Sequence, residues 1–222
     1  CDERGWMLPQ HRGPPCDTAA MEQHVLAYIG LGANVGAPRE ALERAVSALS
    51  VLPGCALAGV SRLYRTRPVG PVEQGDFLNA VVGLRVPAGV TPQDGAMALL
   101  IALKGLERAM GRVRREHWGP REIDLDLLLF GDARIHVERD AAARSVDPDR
   151  HGVQWLEVPH PSAAERSFVL APLSDLASEL RPPGWDQSVE AARTRALAVE
   201  GPDAAEATAE WDYRTSRWRD LA

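Results

Sequence analysis

The sequence predicts an α+β fold, with helices packed on one face of an antiparallel sheet, and three observations carry that prediction. Apolar runs of strand length, bounded by Gly, Pro and polar clusters, recur at residues 25–31, 57–64, 77–86 and 123–130. Segments with apolar residues at helical spacing lie between the first and second runs and between the third and fourth. Only a polar loop, Arg65 to Asp76, separates the second run from the third. The order is therefore β-α-β-β-α-β, the ferredoxin-like arrangement, which leaves the sheet's other face for ligands.

Each element has its own signal. The run Val25 to Leu31 closes at Gly32-Ala33-Asn34-Val35-Gly36, a strand followed by a tight turn. Gly30, Gly32 and Gly36 read as turn glycines, because their spacing does not suit a dinucleotide fingerprint and no parallel βαβ unit follows. Pro38 suits the first turn of a helix, where its missing N–H does no harm. Leu42, Ala45, Val46, Leu49 and Leu52 then fall on one helix face, and Pro53-Gly54 ends it. Strands follow at Leu57–Tyr64 and Phe77–Val86, with a break at Pro87–Pro92. Leu99, Leu100, Leu103, Leu106 and Met110 mark a second amphipathic helix ending near Gly111. The last strand of the set is Ile123–Phe130.

Residues 1–23 are rich in Pro, Gly and charge without apolar periodicity and read as a flexible leader. No Met opens the chain. A truncated or processed chain, a start at Met21 and a linker from an upstream fused domain all remain open. Residues 24–185 form the expected domain, within which 134–154 are polar, with a loop at Asp147-Pro148-Asp149. Residues 186–222 are expected to form an addition: a weak helix at Ser188–Val199 and a charged, Trp-bearing tail. A net charge of −6 argues against a general nucleic-acid or anionic-membrane partner. Cys1, Cys16 and Cys55 have no metal-ligand spacing and read as reduced thiols. With no signal-peptide pattern and no apolar run of membrane-spanning length, the expectation is a cytoplasmic protein without a membrane partner. A monomer is expected, or at most a weak dimer.

The segment 111–130 carries the chemistry. Strand alternation places Asp124 and Asp126 on the open face, roughly 7 Å apart at Cα, and sends Ile123, Leu125, Leu127 and Leu129 under the helices. Two carboxylates this close repel unless a cation lies between them, and hard oxygen ligands select Mg²⁺. Alone, an Asp-x-Asp is more often two solvated side chains. Here Arg112, Arg114, Arg115 and Arg121 lie just upstream in a loop punctuated by Gly and Pro. Cations beside paired carboxylates are what polyphosphate transfer needs. Trp118 in that loop suits a lid over a flat anionic substrate. No Walker-type loop occurs, so ATP would bind in a site of another kind.

The run His117-Trp118-Gly119-Pro120-Arg121-x-x-Asp124-x-Asp126-Leu127-Leu128 resembles the most specific motif of the hydroxymethyldihydropterin pyrophosphokinase family. Other matches keep the family's order: Gly30-x-Gly32-x-Asn34, Tyr64-Arg65-Thr66-x-Pro68-Val69-Gly70-Pro71, Asp76-Phe77-Leu78-Asn79-Ala80, Glu107-x-x-x-Gly111-Arg112, and Pro159-His160-Pro161 with Arg166-x-Phe168. The resemblance spans roughly Val25 to Trp185. It implies a ferredoxin-like enzyme of folate synthesis that moves pyrophosphate from ATP to 6-hydroxymethyl-7,8-dihydropterin and releases AMP. It further implies two Mg²⁺ ions on Asp124 and Asp126, and Arg112 and Arg121 as catalytic cations. Glu107, Arg114, Trp118, His160 and Arg166 would bind ATP. Phe77 and Phe168 would sandwich the pterin, Asn79 would read its polar edge, and Thr66 and Val69 would line its pocket.

Three features depart from the pattern. His117 stands where the family usually carries Arg or Lys, so a titratable group replaces a permanent charge. The stretch from Asp132 to Leu156 is longer than in compact members, and the two ends of the chain lie outside the resemblance. A ferredoxin-like RNA-binding module is disfavoured by the aspartates on the exposed strand and by the negative charge. A catalytically lapsed relative, or a fragment of a bifunctional folate enzyme, would carry the same motifs.

Overall fold

The computed structural model describes residues 23–68, 70, 72–112, 119–144 and 152–221. The chain begins with β1 (His24–Ala33), α1 (Pro38–Ser50), β2 (Ala56–Val60) and β3 (Leu63–Thr66), and continues with β4 (Phe77–Pro87), α2 (Pro92–Ala109) and β5 (Asp124–Phe130). β1 lies between β5 and β4, and β4 also pairs with β2 and β3, all antiparallel. This is the ferredoxin-like order the sequence predicts, with the second strand in two pieces. The break falls at Ser61-Arg62, where Ser61 stays buried and its hydroxyl accepts from the Val81 N–H at 2.9 Å. Past the break the strand runs on to Thr66, two residues beyond its expected end, which sets Thr66 opposite Phe77.

α1 and α2 cover one face of the sheet. Leu42, Ala45, Val46 and Leu49 from α1 and Leu99, Leu100 and Leu103 from α2 meet Ile29, Leu31, Val82, Leu84 and Leu125 in the larger core cluster. α2 starts earlier than its apolar stripe: Thr91 caps it just ahead of Pro92 and forms a capping box with Asp94. Gly95 permits the tight seat of this helix: a Cβ there would lie 2.2 Å from the Ala88 carbonyl oxygen and 2.8 Å from Phe130.

The other face is open over only part of its area. After a two-stranded ribbon, β6 (Ile135–Glu138) with β7 (Trp155–Val158), the chain forms α3 (Ser167–Ala177) and α4 (Val189–Glu200). Leu170, Leu173, Val189, Ala192 and Ala196 of these helices bury Tyr28, Val81, Leu128 and Leu129. Leu129 was expected under α1 and α2. A bulge at Leu128, where Tyr28 pairs with Leu129 but Ile29 with Leu127, reverses the alternation and turns it to the second face.

The residues expected as a charged tail form β8 (Ala205–Asp212) and β9 (Arg217–Asp220), which complete a seven-stranded sheet beyond β3. Trp218 is buried, its indole N–H donating to the Ser61 carbonyl at 3.0 Å and its backbone N–H to Glu43 of α1 at 3.1 Å. No helix among the described residues is long and apolar enough to cross a membrane. Residues 1–22 of the expected leader 1–23 and the expected loop at 147–149 lie outside the described residues, while the carbonyl of Gln23 accepts from the Ala88 N–H at 2.7 Å.

Candidate active site

The open part of the second face is the floor of a cavity of about 620 Å³. Across it, β5 presents Asp124 and Asp126, β1 presents Gly32 and Gly30 directly beside them, and β4 presents Asn79 and Val81 beyond the glycines. Gly30 and Gly32 thus belong to a strand, where their bare backbone keeps the floor clear; only Gly36 takes the positive φ of a turn. A Cβ on Gly32 would lie 3.0 Å from Asn79 Oδ1, so a side chain here would press on the amide. The Asn79 Nδ2 donates to Thr66 Oγ1 at 2.7 Å, and both residues are buried in the wall. Phe77 and Phe168 line the same cavity, and the Arg166 guanidinium lies 5.7 Å from the Phe168 ring centre.

Charge is concentrated at the floor. Asp124 pairs with Arg112 through one carboxylate oxygen and with Arg121 through the other. Beneath them Glu107, only 3% exposed, accepts through Oε1 from Arg112 (2.7 Å), Lys104 (2.8 Å) and the Leu125 N–H (2.7 Å). Asp126 faces the cavity with Lys104 Nζ 3.7 Å from its Oδ1. Burial opposes ionisation of Asp126, but the surrounding cations, Lys104 foremost, outweigh it and hold the carboxyl well below the usual range.

Two backbone devices aim the remaining groups. The bulge at Leu128 leaves a carbonyl outside the ladder, and the His160 N–H donates to it at 2.9 Å. His160 Nδ1 accepts from the Ser162 N–H at 3.3 Å, which leaves the proton of the neutral ring on Nε2. Burial pushes the His160 pKa down, Arg166, Arg139 and Lys104 adding to it against the pull of Asp126, so the ring is neutral at pH 7. On the opposite side, Asn34 Oδ1 accepts from the Arg121 N–H at 2.8 Å, while its Nδ2 donates to Gln74 and to the Gly75 carbonyl. One side chain therefore ties the loop bearing Arg121 to the loop ahead of Phe77. α4 contributes as well, since Glu200 accepts from the Ser167 N–H and hydroxyl at the start of α3, between Arg166 and Phe168.

The sequence profile of the family described as 7,8-dihydro-6-hydroxymethylpterin-pyrophosphokinase (HPPK) matches residues 28–178, more than half of the chain. The chain belongs to the HPPK family. The 2-amino-4-hydroxy-6-hydroxymethyldihydropteridine pyrophosphokinase of Pseudomonas aeruginosa is 40% identical over 156 residues, covering 70% of this chain and 83% of that protein. The enzyme of the same name from Haemophilus influenzae is 36% identical, with 70% and 84% covered. Among solved structures, the wild-type HPPK-DHPS of Plasmodium falciparum with pteroate aligns over 90% of this chain at 15% identity and a TM-score of 0.64, a likeness of fold. This chain spans 48% of that one, about half its length.

The residues expected at the site fall into three groups. Thr66, Phe77, Asn79, Arg112, Arg121, Asp124, Asp126, His160, Arg166 and Phe168 all line the one cavity. Glu107, assigned from the resemblance to ATP, does not line it and instead holds Arg112 and Lys104 from below. Val69, Arg114, His117 and Trp118 lie outside the described residues. Sequence reasoning missed Lys104, which lines the cavity, and Asn34, which was matched to the motif but given no role. It also missed Arg139, just past β6, and Trp155 of β7, whose indole stacks on His136 at 4.5 Å. Lys104 did carry a signal: Leu100, Leu103, Lys104 and Glu107 share one helix face, so a charged pair continues a buried stripe.

Proposed function

We propose that the chain transfers the pyrophosphoryl group of ATP to 6-hydroxymethyl-7,8-dihydropterin, giving AMP and the pterin diphosphate in folate biosynthesis. One observation carries the reading: in a chain of this family, the Asp124–Asp126 pair and the Arg112–Arg121 pair meet at the floor of one aromatic-walled cavity. Arg112 and Arg121 neutralise charge that develops on the transferring group. His160 and Arg166 hold phosphate from the far wall, with Arg114 and Trp118 completing the nucleotide side. Phe77 and Phe168 take the two faces of the pterin, Asn79 meets its amide-like edge, and Thr66 and Val69 complete the pocket. Glu107 holds Arg112 and Lys104 from beneath the floor and, as the resemblance implies, belongs to the nucleotide side.

The donor set fits magnesium. Asp124 and Asp126 offer hard carboxylate oxygens, and Mg²⁺ takes one or two carboxylates and completes its shell with water and phosphate. The two ions that the resemblance implies would be held jointly by the aspartates and the nucleotide. When bound, they would supply charge neutralisation and alignment for an in-line displacement at the β-phosphorus. The reading places the protein in the cytoplasm, as a monomer or at most a weak dimer acting on these small molecules, and its net charge of −6 speaks against nucleic acid or an anionic membrane as a partner.

Chromatography of the products formed from ATP, Mg²⁺ and the pterin alcohol tests the reaction. AMP with pterin diphosphate is expected. ADP with a pterin monophosphate would overturn the β-phosphorus assignment, and absence of turnover would overturn the activity.

A further inference from the structure

Lys104 is a cation held in a place from which it cannot easily leave. It lies on the buried face of α2 with 7% of its surface exposed, yet its side chain reaches the cavity. Two of its three N–H donors are spent on Glu107 Oε1 (2.8 Å) and the Leu125 carbonyl (2.9 Å), and the ammonium stands 3.7 Å from Asp126 Oδ1. Among the described residues, Lys104 is the cation within ion-pair distance of Asp126. Asp124 is compensated in the same way by Arg112 and Arg121. Three carboxylates (Glu107, Asp124, Asp126) therefore face three permanent cations (Lys104, Arg112, Arg121), and this part of the floor is neutral before any ligand arrives.

A divalent cation arriving alone meets carboxylates whose charge is already matched. It must also approach Asp126 against an ammonium fixed a few ångströms away, and like charges at that range in a partly desolvated site repel strongly. Of the cations on Asp124, Arg112 is as buried as Lys104, with 8% of its side chain exposed, and is held by Glu107 as well. Arg121 differs: it sits at a loop position with 26% of its side chain exposed, and polyphosphate oxygens offer its guanidinium an additional partner. Lys104 has no such freedom.

We propose that Lys104 is the counter-charge that keeps the Asp124–Asp126 pair from holding a divalent cation until a polyphosphate is present, so that the metal enters with the nucleotide. The proposal rests on the metal reading given above. Once the polyphosphate adds its negative charge, the same ammonium no longer excludes the metal but helps to balance the assembled site. Lys104 is thus a positioning residue that acts through Asp126, and its removal changes metal binding in the nucleotide-free protein.

Binding of Mn²⁺ to nucleotide-free protein, followed by the electron paramagnetic resonance signal of unbound Mn²⁺, tests this without reference to turnover. The wild type, Lys104→Gln, Lys104→Arg, Asp126→Asn and the Lys104→Gln/Asp126→Asn double variant would be compared. A cooperative thermal transition would establish that each is folded, and Lys104→Met would replace the Gln variant if it is not. Loss of the fixed charge is expected to tighten Mn²⁺ binding by about tenfold or more. Lys104→Arg should stay at the wild-type level, and Asp126→Asn should remove the gain. Wild-type affinity in Lys104→Gln, with binding still weakened by Asp126→Asn, would overturn the proposal and leave the metal site standing. Equal tightening in Lys104→Arg would overturn it too, because charge would not be the cause. Binding indifferent to Asp126→Asn in every background would overturn both the proposal and the metal assignment.

Discussion

Arg121 is held at three points: its N–H by Asn34 Oδ1, its carbonyl by the N–H groups of Asn34 and Val35, and its guanidinium by Asp124. A cation so pre-oriented stabilises charge that develops in the transition state without reorganising. Arg121→Ala is accordingly expected to lower kcat by about 10²-fold or more, with a much smaller effect on ATP affinity; steady-state kinetics with a binding titration would check this. A change confined to KM would mean uniform binding instead. Glu107 makes a different kind of contribution. Its carboxylate is buried among Lys104, Arg112 and the Leu125 N–H, the two cations each with 8% of their side chain exposed. Glu107→Ala leaves Lys104, Arg112 and Arg121 facing two carboxylates, one buried positive charge in excess, and should cost about 3–5 kcal/mol of stability, read as a lowered urea midpoint. A loss under about 1 kcal/mol, the scale of a surface pair, would show that the network does not depend on it.

At the scale of elements, the site depends on irregularities. The bulge at Leu128 receives His160, and the break at Ser61-Arg62 receives the C-terminal hairpin through Trp218. β8 pairs with β3 as far as Thr66, opposite Ala205, so the hairpin braces the strand that carries a wall of the cavity. Trp218 also packs edge-on against Trp211 at 4.7 Å. Trp218→Ala removes this packing and the bond to Ser61, and a loss of about 3–5 kcal/mol is expected, measured by thermal or urea unfolding. An unchanged midpoint would reduce the hairpin to an appendage.

At the scale of the whole molecule, a sheet with α1 and α2 beneath it and α3 and α4 over part of its upper face leaves one region where charge and aromatic surface meet. A ligand bound there stabilises the fold by mass action, by about 2.7 kcal/mol at one hundred times its Kd. For a chain of this size that is a Tm rise of roughly 5–10 °C, expected for ATP with Mg²⁺ in differential scanning fluorimetry. Removing the metal with EDTA should abolish most of the rise, and Mg²⁺ without ATP should give little. An equal rise in EDTA would mean that nucleotide binding needs no metal at these aspartates.

Much of this was legible in the chain itself. The strand and helix order followed from apolar periodicity, and Asp124 and Asp126 were placed on the exposed face by alternation alone, because a strand's period of two is a local property. β8 escaped notice because Ala205–Asp212 alternates small and acidic residues, so its pairing reflects the edge that β3 offers more than its own apolarity. Leu129 was misassigned for a related reason, since the bulge that turns it is set by pairing with β1. Glu107 was singled out only by the family motif and Lys104 not at all, because their shared network forms only where α2 lies on β5. By itself the sequence determined the period of each element, the family motif and the two carboxylates on the open strand, all of which depend on neighbours along the chain. The tertiary structure alone decided which cations face those carboxylates and how much of the second face stays open. Both depend on residues far apart in sequence, and charge interactions take their strength from distance and burial in space.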